Sequence, residues 1–407
     1  MTSTNIEPTK KRIEIVDALR GFSLAGIVIV HMVENYIGAP YPEVFNEAVH
    51  QGVGDYIVDG FIGFFLRGKF FALFSFLFGL SFFIQMDNAA EKGTYFGGRF
   101  LWRLVLLFLI GYVHSLFYAG DILTIYAMLG VLLIPFYKIR SSWVLGLAAL
   151  LFLGLGRYVV FFFTHGENMF GNLNLTGDDP QILEYYNILK DGSLMDVFQS
   201  NAYYSHMNKM DFQFGIFGRG YLTFGFFLLG LYVGRMGFFQ KYKENKLLVK
   251  RTWIWSLVAF VLSGVLMAVI FGSMGENVTF DNWMAMFGLT AFDINNVAMT
   301  FILISIFVIL YKRMKPQKWL AKFAPYGKMA LTNYFFQSIV GTFFLFGWGL
   351  GYIGELRNVY TFVLAILVIA GQMMVSRWWL KKFQYGPLEW LWRSATFLRF
   401  FPLKRQN

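Results

Sequence analysis

Apolar residues fall into ten long stretches along the chain, separated by mostly short polar connections. They are Ile15–Glu34, Phe70–Ile84, Phe100–Tyr118, Ile122–Tyr137, Trp143–Phe163, Gly215–Gly234, Thr252–Gly272, Thr290–Tyr311, Met329–Gly347 and Val359–Leu380. A helix needs roughly 20 mainly apolar residues to cross the hydrocarbon core, so each stretch reads as a span, the second and fourth being the shortest. The pattern predicts an all-α polytopic membrane protein of about ten transmembrane helices, forming one domain over residues 1–407. Phe61–Leu66 is also apolar and predicts a re-entrant or interfacial approach to Phe70. The long connection 164–214 contains Gln181–Phe198, which reads as an amphipathic helix over the outer mouth. Residues 383–407 mix Trp, Phe and Arg after Gly386-Pro387 breaks the last span, and they read as an amphipathic tail on the inner leaflet.

Composition agrees with that pattern. Of the 407 residues, 57% are hydrophobic and only 14% charged, against about 25% charged in a soluble domain. The absence of cysteine excludes a disulfide framework, a Cys-ligated metal and a thiol nucleophile. A net charge of +11 would suit nucleic acid, but the basic residues follow the membrane instead. With the N-terminus inside, 27 of the 35 Lys and Arg residues fall in the cytoplasmic segments, including Lys10, Lys11 and Arg12. The outer loops receive Lys190, Lys209 and Arg357. Ten spans with both termini cytoplasmic satisfy this alternation, and the partner it implies is the lipid bilayer rather than nucleic acid. The first span carries Asp17 and Arg20, which the apolar core of a cleaved signal peptide would not tolerate. No internal repeat, Walker-type loop, zinc-ligand spacing or serine elbow is visible, and no metal is expected.

Ionisable groups inside spans are costly and normally face a partner or a polar cavity. Arg20 and His31 are eleven residues apart on the first span, which puts them on one helix face and about 16 Å apart along it. Asp17 lies one turn below Arg20 and can pair with it. The outer halves of other spans carry His114, Asp121, Arg219, Asp293, Asn295 and Asn296, while His50, Arg67 and Lys69 precede or begin the second. Each has a structural alternative. Lys69 and Arg157 can snorkel, Asp121 suits a tight turn after Gly120, and Arg219 can pair with Asp293. Asn333 and Gln337 share one helix face and can bond a neighbouring helix or a polar ligand. Taken together they predict a polar cavity opening outward. A donor with an anionic head held near the cytoplasmic basics and a thin arm reaching an imidazole would fit this layout. Histidine can serve as general base or as acyl carrier. A proton-coupled transporter would use the same groups.

The stretch Arg12-Ile-Glu-Ile-Val-Asp17-Ala-Leu-Arg20-Gly21 followed by His31 resembles the opening of transmembrane acyltransferases. In type-three acyltransferases an Arg-Gly pair precedes an essential His at this spacing, which the resemblance carries to Arg20 and His31. The heparan-α-glucosaminide N-acetyltransferases share the Asp-x-x-Arg-Gly opening, but their catalytic His lies in the outer loop before the second helix. His50 is the candidate for that role here. A resemblance covering nearly the whole chain is to the bacterial YeiB-type membrane protein family. It rests on Gly68-Lys69-Phe70 with Leu73–Gly79, on His114 with Gly120–Ala127, on Met329–Tyr334 with Gln337-Ser338, and on Tyr385–Arg393.

These resemblances imply a transmembrane-acyltransferase fold in the inner membrane. The activity they imply is transfer of an acyl group, acetyl being favoured, from cytoplasmic acyl-CoA to a hydroxyl or amine at the outer face. His31 is the leading base or acyl carrier, with His50 in reserve. Arg20, Asn333 and Gln337 are assigned to the donor, and Asp17, Lys69, His114, Asp121, Arg219 and Asp293 to substrate binding or support. A glycan is one acceptor compatible with this reading, and homo-oligomerisation is left open.

Overall fold

A computed structural model describes residues 13–171, 179–275 and 278–405. Lys10, Lys11 and Arg12 lie outside the described residues, as do the loop residues 172–178. The helices are, in order, α1 (Glu14–Val33), α2 (Glu43–Val49), α3 (Val53–Phe61), α4 (Phe70–Ala90), α5 (Gly97–Phe117) and α6 (Leu123–Phe136). Then come α7 (Ser141–Phe152), α8 (Leu155–Thr164), α9 (Pro180–Asp191), α10 (Leu194–Phe214), α11 (Arg219–Arg235) and α12 (Lys246–Ser273). The chain finishes with α13 (Trp283–Tyr311), α14 (Met314–Leu320), α15 (Phe323–Lys328), α16 (Ala330–Leu345), α17 (Asn358–Lys382) and α18 (Pro387–Phe397). Among the described residues there is no β-strand beyond the isolated bridge Phe383–Lys404.

Nine of the ten predicted spans each coincide with one helix and the fifth, Trp143–Phe163, is divided between α7 and α8, and not all the helices are long. Six segments are long and apolar enough to cross a membrane: α1, Val53–Ala90, α5, α12, α13 and α17. Two bent pairs raise this to eight, α7 with α8 at 53° and the end of α10 with α11 at 61°. The breaks have a local cause. Gly154 (φ +87°) and Gly218 (φ +66°) take left-handed backbone that a helix interior cannot accommodate. Helices α6 and α16 stay short, at 14 and 16 residues. The apolar approach at 61–66 is a π-helical turn, Ile62–Leu66, joining α3 to α4. The amphipathic segment expected over the mouth is divided between α9 and the start of α10, with Gly192 and Ser193 between them.

Helix α1 is the centre of the bundle. Of its apolar window 72% is buried, against 17% for α12, so polar groups on α1 face protein or a cavity rather than lipid. It packs along α15, α17 and α4. The contact with α15 is backbone to backbone: a Cβ on Gly327 would strike the carbonyl of Asp17, and one on Gly21 the carbonyl of Phe323. Close approach through small residues is the usual device for joining helices where lipid removes the hydrophobic drive. Gly79 on α4 and Gly230 on α11 join a second pair the same way. The amphipathic tail is docked rather than free, since Trp392 of α18 donates to the Arg103 carbonyl (2.9 Å) and stacks under its guanidinium at 3.6 Å.

Candidate functional site

A cavity of about 1070 Å³ opens at the His31 end of the bundle, which is the outer end in the predicted orientation. Its wall combines α1 from Ile27 to Glu34, the segment Arg67–Phe71 without Lys69, the turn Tyr118–Ile122, parts of α9 and α10, Arg219 and Tyr334. This bears out the expectation that polar groups at this level enclose a space.

His31 sits on the cavity wall because α1 is followed by a tight reversal. Asn35 (φ +50°) and Tyr36 (φ +54°) both adopt left-handed backbone, which is strained for a tyrosine. The strain is held by complete burial of Tyr36 and by its hydroxyl, 3.1 Å from the Gln337 carbonyl oxygen and 3.3 Å from the Gln337 side-chain oxygen. The other end of that amide lies 3.4 Å from His31 Nδ1. A single hydroxyl proton serves one acceptor at a time, and the two ends of an amide are assigned from their network. Exchanging the amide oxygen and nitrogen satisfies all three contacts: Tyr36 donates to the carbonyl, the Gln337 amide donates to Tyr36, and His31 Nδ1–H donates to Gln337. His31 Nε2 then carries a lone pair, on a ring that lines the cavity. Rings of Tyr118 and Tyr334 flank the imidazole, with centroids at 4.8 and 6.3 Å. Gln337 thus positions His31.

A second imidazole lies behind this wall. Asp121 accepts from His114 Nδ1 at 2.8 Å, so His114 Nε2 accepts the hydroxyl of Ser338 at 2.9 Å. Asp121 also accepts from the amides of Leu123 and Thr124, which fixes the start of α6. The arrangement has the geometry of a catalytic triad, but His114 and Ser338 are fully buried and absent from the cavity wall. It braces α5, the α5–α6 turn and α16. Asp121 fills the turn role expected of it and also orients His114. Sequence reading named Ser338 only as part of a motif, because its partner is 224 positions away.

The remaining predicted residues divide sharply. Arg20 pairs with Asp17 at 3.0 Å and donates to Ser81 of α4 at 2.9 Å, below the cavity, whose lining on α1 ends at Ile27. The continuous conduit expected between Arg20 and His31 is closed here by packed rings. Phe22 contacts Phe70, Phe307 and Phe323 at 5.2, 5.4 and 6.0 Å, and the Phe70 ring covers Gly26. His50 is not brought to His31. It caps α2, with Nδ1 2.9 Å from the Asn46 carbonyl, Nε2 3.0 Å from Asn358, and its ring stacked on Tyr56. Lys69 is buried and donates to the Gly63 carbonyl at 2.7 Å, tying down the π-helical turn instead of snorkelling. Asn333 bonds Ser376 and the Tyr326 carbonyl within the bundle, away from the cavity.

The expected Arg219–Asp293 pair does not form. Asp293 pairs with Arg157, which is not a snorkelling residue but 2% exposed and also bonded to Thr290 and the carbonyls of Ile216 and Phe217. Arg219 instead lies on the cavity wall with its guanidinium 3.5 Å over the ring of Phe71. At the mouth, Arg67 bonds Glu34 at 2.7 Å and Asp59 at 3.1 Å. Lys209 of α10, which sequence reading treated only as a loop basic residue, reaches the Asp121 carbonyl at 3.2 Å from the opposite wall.

The fold and cavity define a multi-pass helical membrane protein with a polar chamber open at one end. Residues 233–399 match the family model described as "Protein of unknown function (DUF418)". Along its whole length the chain is similar to the "Uncharacterized protein YxaH" of Bacillus subtilis (strain 168), at 29% identity over all of both chains. It is also 28% identical to the "Uncharacterized 39.9 kDa protein in amylase 3'region" of Bacillus acidopullulyticus, over 97% of this chain and 96% of that one. Identity to the "Uncharacterized protein YeiB" of Escherichia coli (strain K12) is 24%, over 94% and 95%. These matches bear out the YeiB-type resemblance read from the sequence. No solved structure matches. The family model includes Gln337 but begins after His31, His114 and Arg219.

Proposed function

We propose that this protein is a membrane-embedded acyltransferase of the bacterial inner membrane. It uses acyl-CoA, acetyl-CoA being the favoured donor, to modify a hydroxyl or amine that enters the outer cavity. The observation that carries the reading is His31: an imidazole on the wall of a large cavity, its Nδ1 3.4 Å from the Gln337 side-chain amide. In the reaction, Nε2 accepts the proton of the acceptor O–H or N–H as that atom attacks the thioester carbonyl. The new C–O or C–N bond forms, the C–S bond breaks, and the coenzyme A thiolate leaves and is protonated. A positioned general base contributes typically 10²–10⁴-fold. The resemblance to transmembrane acyltransferases supplies the donor, and the Asp17–Arg20 pair lies at the end of α1 from which it would enter.

The test uses purified full-length protein and acetyl-CoA. A ligand at 100 times its dissociation constant adds about 2.7 kcal/mol of stability, so acetyl-CoA should raise the unfolding midpoint. In oriented proteoliposomes supplied with native membrane extract, label from acetyl-CoA should reach an acceptor on the far side, and His31→Ala should reduce this at least 100-fold. Absence of both binding and label transfer overturns the reading. A second reading, proton-coupled transport, draws support from the closed aromatic layer beneath an open chamber. It predicts solute movement without acetyl-CoA and loss of that movement in the same variant.

A further inference from the structure

The cavity contains a cation without a counter-ion. Arg67 is neutralised by Glu34 and Asp59, and Arg157 by Asp293. Among the described residues no carboxylate lies within ion-pairing distance of Arg219, whose guanidinium rests on the face of Phe71 on the cavity wall. Holding a guanidinium partly desolvated against a ring, with no anion and no protein hydrogen bond, is unfavourable unless a ligand supplies the acceptors.

Two further observations mark the same spot. Asn296 of α13 is 1% exposed, and neither its side-chain oxygen nor its nitrogen has a partner. Buried amides are almost always satisfied, so an unpaired one calls for an explanation. Gly68 shows where it points. A Cβ on Gly68 would lie 2.9 Å from Asn296 Oδ1 and 3.6 Å from Arg219 Nη1. Gly68 lines the cavity and holds φ +86°; a Cβ there would strike the amide, so Asn296 abuts the Gly68 backbone just behind the wall that carries Arg219. Arg219 is also the first residue of α11, which begins with no side-chain cap. A helix N-terminus favours an anion. On the same wall, Gln213 is 5% exposed with its side-chain oxygen unpaired.

We infer that Arg219 on the cavity wall, with the unpaired Asn296 amide behind Gly68, forms a binding site for a phosphoryl group carried by the molecule that enters the cavity. A guanidinium that no carboxylate neutralises, on the wall of a polar chamber, matches the charge and the paired oxygens of a phosphate ester. This deepens the proposed function by assigning its acceptor to the phosphate esters. The phosphate is that of a lipid headgroup or of a soluble metabolite, and both present the same oxygens.

The experiment measures thermal unfolding of the full-length protein in neutral detergent, without acyl donor. Glycerol 3-phosphate and phosphatidylglycerol are the probes, with glycerol and diacylglycerol as phosphate-free controls. A phosphate probe should raise the midpoint of the wild type. Response to both probes or to the lipid alone identifies a headgroup site, and response to glycerol 3-phosphate alone a soluble ligand. Arg219→Gln should weaken binding at least tenfold, with Arg219→Lys retaining part of it. Asn296→Leu removes an unpaired buried amide, so the ligand-free protein should melt no lower than wild type while its phosphate affinity falls. A purely structural Asn296 would leave affinity unchanged. The inference is overturned if neither phosphate probe stabilises the wild type more than its control, or if both Arg219→Gln and Asn296→Leu bind as tightly as wild type. Binding of acetyl-CoA is read separately in the same preparations, so failure of the phosphate site and failure of acyl transfer are distinct results.

Discussion

Arg157 shows how a single residue's role depends on elements far apart in sequence. Position near the end of an apolar stretch predicts snorkelling, and Asp293 reads equally well as a partner for Arg219. The structure instead sinks Arg157 among α8, the approach to α11, and α13, with Asp293, Thr290 and two carbonyls satisfying its fork. Removing one partner of a buried, hydrogen-bonded ion pair strands the other, typically at about 3–5 kcal/mol. Arg157→Leu should therefore lower the chemical-denaturation stability by that order, while Arg157→Leu combined with Asp293→Leu should recover much of it. Recovery in the double variant is the discriminating measurement, because a snorkelling Arg157 would give small, additive effects. Spacing along the chain puts His31, His114, Asp121 and Arg219 at the same end of their spans, and in the structure His31, Asp121 and Arg219 line one cavity with His114 behind it. Sequence reading could not separate Arg219 from Arg157, because pairing across helices depends on helix rotation, and spacing along one chain does not reveal rotation. The bond between Gln337 and His31 was conditional on the same unknown, namely whether the Asn333–Gln337 face meets α1. Gln337 does and Asn333 does not.

At the scale of elements, the ten apolar stretches were legible because lipid demands long apolar runs, and their centres match the helices found. The bends and the helix ends were not, since they follow from local backbone at Gly154 and Gly218 and from side chains brought from elsewhere. The start of α16 is an example. Its first amides, those of Leu331 and Thr332, donate to Glu389 of α18 at 2.7 and 3.1 Å. The tail expected on the inner leaflet thus supplies a cap for α16. Burial raises the Glu389 carboxyl above the usual glutamate range, outweighing the bonds from Thr332 and Leu331 that favour its charged form. A carboxyl raised on folding binds more protons in the folded state, so its contribution to stability is complete below the unfolded value and is lost as pH rises through the folded one. As pH rises above the ordinary glutamate range, the unfolding midpoint of the wild type should fall more steeply than that of Glu389→Gln, whose neutral amide does not titrate. Parallel pH profiles for the two proteins would remove Glu389 from the account.

The whole molecule poses one question, which is how the two ends of α1 communicate. Arg20 and His31 share a helix, yet the cavity ends near Ile27, and Phe22, Phe70, Phe307 and Phe323 fill the layer between. Phe70 is the decisive ring. It lies against Gly26, where any Cβ would strike it, and it is also on the cavity wall, so it is both the floor of the chamber and the lid of the layer below. An acyl chain passing from the Arg20 end to His31 must move this ring, and Gly26 leaves it the space it now fills. Phe70→Ala removes the obstruction, at a stability cost of about 3–5 kcal/mol for a buried aromatic. If acyl transfer is the function, the open variant should release free coenzyme A from acetyl-CoA faster than wild type, because water then reaches the thioester at His31. His31→Ala in the same background should abolish that release. If transport is the function, the layer is the barrier between the two sides, and Phe70→Ala should let the solute leak down its gradient with no dependence on acetyl-CoA. Measuring thiol release and solute leak on one set of proteoliposomes separates the two outcomes. A variant that folds, neither hydrolyses nor leaks, and keeps wild-type behaviour in both assays would mean that Phe70 guards no route at all.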